Sequence, residues 1–99
     1  MATEIIWSKE ARDQYKKIID YWNDRNQSQK YTNRIHRNLL ENLGLIGSFP
    51  LIGKQTSISG IRGKVFMNHF TIIYEPKESS INVLNIWDNR RDPDSNKYL

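Results

Sequence analysis

The sequence predicts an α+β domain in the order β-α-α-β-β-β, with an antiparallel αα-hairpin packed on one face of a mostly antiparallel four-stranded sheet. Three observations carry this reading. A short β-favouring segment opens the chain, two helix-period apolar stripes follow with hardly a break, and the apolar spacing then drops to two for the remaining strands. Helices and strands that are grouped rather than alternating point away from a doubly wound parallel sheet.

The opening strand is Thr3-Glu4-Ile5-Ile6-Trp7. Ser8 then offers a hydroxyl for an N-cap, and Glu10 puts an acid in the first turn, where the helix dipole favours it. Ala11, Tyr15, Ile18, Ile19 and Trp22 form the apolar stripe of the first helix, which ends at Arg25-Asn26. Ser28 is the expected cap of a second helix whose stripe is Tyr31, Ile35, Leu39, Leu43 and Ile46, with Gly47 before Phe49-Pro50 as its stop. So short a connection makes the two helices an antiparallel pair. Ser48 to Gly60 reads as loop. Strands follow at Ile61–Met67, Phe70–Glu75 and Ile81–Trp87, joined by turns at Asn68-His69 and Pro76–Ser80. In the first of these, Ile61, Val65 and Met67 are expected to face the helices, leaving Arg62 and Lys64 on an open, basic face. Asp88 to Pro93 leaves the sheet, and a polar tail runs to Tyr98-Leu99.

Ninety-nine residues hold one domain, 1–99. The absence of cysteine excludes a disulfide scaffold, a thiol nucleophile and a cysteine-based zinc site. The two histidines, His36 and His69, stand far apart, so neither a metal nor any other cofactor is expected. No apolar run approaches the roughly 18 residues of a membrane span, and no signal peptide opens the chain, which reads as a soluble cytoplasmic protein. The net charge is +4. Between Asp24 and Glu75 the only acid is Glu41, against Lys30, Arg34, Arg37, Lys54, Arg62 and Lys64. A basic middle of this kind attracts phosphate backbones or an acidic protein segment, although a solvated basic surface has the same composition. Trp7 and Trp87 read first as core, and Arg90-Arg91 beside Asp92 as a surface ion-pair cluster.

Five short pieces in order resemble the RelE/ParE superfamily of toxins from type II toxin–antitoxin systems. They are Ile6-Trp7-Ser8-Lys9-Glu10-Ala11 at the first strand and helix start, Phe49-Pro50-Leu51-Ile52-Gly53-Lys54, Gly60-Ile61-Arg62, Phe70 to Tyr74, and Ile86-Trp87 through Arg90-Arg91-Asp92-Pro93. The resemblance covers nearly the whole chain. It implies a growth inhibitor neutralised by a cognate antitoxin that folds on binding. The antitoxin would dock on the αα-hairpin or the sheet edge, with Tyr15, Tyr21 and Trp22 as the candidate contacts.

Within that superfamily, RelE-like members cleave mRNA on the ribosome, and ParE-like members inhibit DNA gyrase. Metal-free RNA cleavage needs a base, an acid and cations. Candidates are Arg62, Lys64, His69, Arg90, Arg91 and Tyr98, with Lys54, Arg62, Lys64, Arg90 and Arg91 as a target-binding or nucleic-acid-binding set. Many RNA-cleaving relatives carry an arginine where Thr71 stands and a histidine or tyrosine where Asp88-Asn89 stand. An aspartate there is a poor general acid, because Arg90 and Arg91 lower its pKa. The sequence therefore favours a ParE-like or noncanonical toxin over a RelE-like nuclease. A non-toxic binding remnant of the family is the third reading.

Overall fold

The computed structural model describes residues 3–26, 29–91 and 93–99. Strand β1 (Glu4–Trp7) lies parallel to the last strand, with Ile5 opposite Ile81 and Trp7 opposite Val83. Ser8 makes the turn into helix α1 (Lys9–Asn26). Its hydroxyl accepts the Ala11 N–H at 3.0 Å and donates to the Leu84 carbonyl at 3.1 Å. One side chain thus caps the helix and ties it to the sheet, as the sequence predicts.

Helix α2 (Lys30–Ser48) buries Thr32, Ile35, Leu39, Leu43 and Ile46. Gln29 takes its N-cap position without a side-chain bond, and the expected cap Ser28 lies outside the described residues. The hairpin is fastened instead by Thr32, whose hydroxyl donates to Asn23 Oδ1 at 2.7 Å. Helix α2 runs one residue past Gly47 before Phe49 N–H closes it on the Leu45 carbonyl.

The segment expected as loop contains a two-residue strand, β2 (Lys54–Gln55), paired with β3 (Arg62–Phe66). Strands β4 (Phe70–Pro76) and β5 (Ser80–Asp88) complete a sheet of five strands rather than four, in the order β1-β5-β4-β3-β2. Every pairing is antiparallel except β1 with β5. Met67 and Asn68 both have positive φ, 54° and 61°, in the β3–β4 turn, one position earlier than the Asn68-His69 turn expected. Two left-handed residues in succession match the right-handed twist of the strands they join.

The faces of β3 are the reverse of expectation. Phe66 is buried and stacks on Phe70 in the core shared with the helices, and Val65 is 50% exposed. The register places Arg62 with Tyr74 and Lys64 with Ile72, both residues of the helix-side core. The outer face carries Gly63, Val65, Thr71, Ile73, Asn85 and Trp87. Arg62 and Lys64 reach the helix side because their long stems pass along apolar surface while their charged ends find oxygen at the margin.

Candidate functional site

The basic residues do not form one platform. Arg62, on the Tyr74 level of β3, donates to the Gly53 carbonyl at 2.7 Å and to the Leu51 carbonyl at 3.3 Å, pinning the segment after α2. The Lys64 ammonium donates to Asn42 Oδ1 of α2 at 2.9 Å and to the Val65 carbonyl at 3.2 Å. Lys54 is exposed on the short edge strand. Arg90 follows β5 beyond the Phe70 level, the opposite end of the strands from Arg62. Sequence alternation suggested one cationic face; the register separates its members.

Around Arg90 the structure assembles a cluster. Its Nε and Nη2 donate to Asp88 Oδ1 and Oδ2 at 2.8 and 2.9 Å, and its backbone N–H adds a bond to Oδ1 at 3.0 Å. The guanidinium lies 4.2 Å from the Trp22 ring centroid and 5.2 Å from that of Phe70. The Trp22 indole and the Tyr31 hydroxyl lend lesser polar support to Asp88 and Arg90 respectively. Burial pushes the Asp88 carboxyl up, but the bonds and charge of Arg90 outweigh it and hold the group below the usual carboxylate range. The same pair raises Arg90 further, so both stay charged. Asp88 is therefore an anchor for Arg90, in keeping with the expected lowering of its pKa by the neighbouring arginine. A cleft of about 430 Å³ opens beside the cluster, with Lys17, Tyr21 and Arg91 on its rim.

Tyr15 belongs to a different site. A shallow apolar trough of about 750 Å³ runs from β1 across the outside of the hairpin, lined by Ile6, Trp7, Tyr15, Ile19, His36 and Leu40. Ile6 is 43% and Leu40 54% exposed. The Tyr15 hydroxyl bonds His36 Nδ1 at 2.8 Å, and burial pushes the phenol pKa up to about 12. Of the three expected antitoxin contacts, Tyr15 lines this trough, while Tyr21 and Trp22 line the cleft beside Arg90. His36 and Leu40 are missed by sequence reasoning because they sit outside the core stripe of α2.

The remaining catalytic candidates are also separated. His69 is exposed in the β3–β4 turn, where its carbonyl accepts the Asn89 N–H at 2.6 Å. Thr71 bonds the same residue, its hydroxyl donating to Asn89 Oδ1 at 2.7 Å. Tyr98 is buried in the tail, and its carbonyl accepts from the Ser57 hydroxyl at 3.4 Å, at the other end of β3 from His69. Arg91 stands over the Trp87 ring at 4.9 Å. Among the described residues no group of three or more His, Cys, Asp or Glu is placed to hold a metal ion.

A family model described as the ParE toxin of type II toxin–antitoxin system, parDE, matches residues 5–93. Among solved structures, the chromosomal ParDE TA system from P. aeruginosa superposes with a TM-score of 0.75 at 16% identity, covering 88% of this chain and 96% of that one. At that identity the likeness is one of fold. No curated protein matches the sequence. Among the described residues, no helix is long and apolar enough to cross a membrane.

Proposed function

Since the chain belongs to the ParE toxin family of type II toxin–antitoxin systems, we propose that it inhibits growth through DNA gyrase and is neutralised by a cognate antitoxin docked in the β1–hairpin trough. The observation that carries the choice of target is the engagement of the candidate catalytic groups. Arg62 and Lys64 are bound to carbonyl and amide oxygens, Arg90 is locked to Asp88, and Tyr98 is buried. RNA cleavage asks for an acid, a base and cations around one phosphate. These groups lie on both faces and at both ends of the sheet, which supports a toxin that acts by binding.

The trough supports the antitoxin reading. It joins exposed apolar side chains of β1 and α2 to the unpaired outer edge of β1, so a partner segment gains both burial and backbone hydrogen bonds there. The structural relative named above is a toxin–antitoxin system, and this is the same kind of partnership.

Induced expression in a bacterial host tests the proposal. Growth arrest with intact message, an SOS response and loss of supercoiling by purified gyrase is the expected result. Cleaved mRNA at defined codon positions would assign the RelE-like chemistry instead, and healthy growth would leave a binding remnant. Rescue by the neighbouring gene product, abolished by Leu40→Glu without loss of toxicity, tests the docking site.

A further inference from the structure

Helix α1 treats its lysines unequally. Lys9 and Lys16 each reach an aspartate four residues on, Asp13 at 3.4 Å and Asp20 at 2.7 Å. Four residues beyond Lys17 stands Tyr21. Among the described residues the Lys17 ammonium has no acid partner. Its side chain lines the cleft of about 430 Å³ beside Arg90, together with Tyr21 and Trp22. Arg91 enters the same cleft from the chain beyond β5, and it too lacks an acid partner among the described residues. The acid of the lining, Asp88, has both oxygens taken by Arg90, so the charges of that pair cancel. Lys17 and Arg91 are left as uncompensated cations facing one space.

The aromatic part of the cleft is held in place. The Arg90 guanidinium lies over the Trp22 ring at 4.2 Å, and the Tyr31 ring meets it edge-on with centroids 5.3 Å apart. Tyr21 meets Trp22 edge-on in turn, at 5.0 Å and 88°, with the Arg25 guanidinium 5.4 Å from its centroid. Tyr21 is nevertheless 51% exposed. A half-exposed ring set at a fixed angle beside two uncompensated cations is a seat for a planar ligand that bears an anion. The volume of the cleft falls within the range of roughly 300–1,000 Å³ that small-molecule sites occupy.

We propose that this cleft binds a nucleoside monophosphate, either free or as the 5′-phosphorylated end of a strand. The base stacks on Tyr21, and the phosphate lies between Lys17 and Arg91. A carboxylate brings a single negative charge, whereas a phosphate monoester brings about two near neutrality and so matches the two cations. The cleft shares no lining residue with the trough assigned to the antitoxin. The inference therefore stands on the cleft alone, whichever cellular target the toxin has.

Calorimetric titration of the full chain with adenosine 5′-monophosphate tests the assignment, with adenosine, inorganic phosphate and a short 5′-phosphorylated oligoadenylate as comparison ligands. The monophosphate binds about tenfold or more tightly than adenosine or phosphate alone. Tyr21→Ala, Lys17→Ala and Arg91→Ala each weaken it by about tenfold, while Tyr21→Phe, which keeps the ring, leaves it unchanged. Lys9→Ala, on the same helix but outside the cleft, has no effect. All four substituted side chains are exposed, so the variants keep the fold, which their urea midpoints verify. An oligoadenylate that binds no more tightly than the monophosphate assigns the free nucleotide. One that binds more tightly, and only with its 5′-phosphate, assigns the strand end. No binding of the monophosphate, equal binding of adenosine or inorganic phosphate, or unchanged affinity in Tyr21→Ala or Arg91→Ala overturns the proposal. Tighter binding of an oligoadenylate that is indifferent to its 5′-phosphate overturns it in favour of a general nucleic-acid surface.

Discussion

Replacing Tyr74 with phenylalanine removes a single oxygen from the centre of the fold. Tyr74 is fully buried, and its hydroxyl donates to the Pro50 carbonyl at 2.8 Å while accepting the Gly53 N–H at 2.9 Å. Burial raises the phenol pKa against the opposing pull of Gly53 and Arg62, so the group stays protonated and able to donate. A Cβ on Gly53 would lie 2.7 Å from that oxygen and 2.9 Å from the Gly63 carbonyl, which is why the chain approaches so closely here only with glycine. Tyr74→Phe keeps the ring and strands the buried Gly53 N–H, at a cost of about 1–3 kcal/mol. The Pro50 carbonyl is better placed to reach water and adds little, so about 2 kcal/mol is expected in total. For a domain of this size that lowers Tm by about 8–16 °C. Urea unfolding followed by tryptophan fluorescence should show a lower midpoint at constant m. A loss under about 0.5 kcal/mol would mean that the loop relaxes to re-pair both groups, and would refute the claim that Tyr74 pins it.

Other variants probe the remaining elements. Asp88 carries a folded pKa below its unfolded one, so its contribution is present above about pH 4 and is lost as pH falls toward the folded value. The urea midpoint of the natural chain should exceed that of Asp88→Asn near neutrality, with the gap closing in acid. Tyr15 is shifted the other way: burial pushes its phenol up to about 12, so an ultraviolet titration shows a late component that shrinks in Tyr15→Phe, with the raised Tyr74 phenol supplying the rest, and the stability Tyr15 confers falls as pH rises above the unfolded value. That late step should move toward the free phenol's value of about 10 once denaturant is present. Asn68→Ala places an alanine at φ 61° and should cost about 1 kcal/mol, measured by thermal unfolding, while Asn68→Gly is tolerated.

The helices were legible because their stripes are long and bury one side only. Ser8 shows the same agreement at the level of a single side chain, capping α1 where the sequence placed it. The sheet was harder. Alternation in Ile61 to Met67 assumes that the more apolar phase faces the core, but this sheet has cover on both sides, so apolar side chains suit either phase. Phe66 decides the phase, and Gly63 offers no side chain to vote against it. Two residues of β2 are too few to show a period. The split of Tyr15 from Tyr21 and Trp22 was also hidden, since successive turns of one helix sweep its side chains around the axis toward different neighbours. The pull of Arg90 on the Asp88 carboxyl was legible, but the ion pair was expected with Asp92, which lies outside the described residues, and the aromatic seat made by Trp22 and Phe70 comes from elements distant in sequence.

The parallel pairing of β1 with β5 has a temporal meaning. Glu4 finds its partner at Ser80 and Trp7 at Val83, so a nascent chain carries its first strand without a mate until β5 has been made. Contacts of such long sequence span form late and slowly. A fold closed this way gains its β1 edge last, so whatever grips that edge recognises the folded domain and not its nascent form.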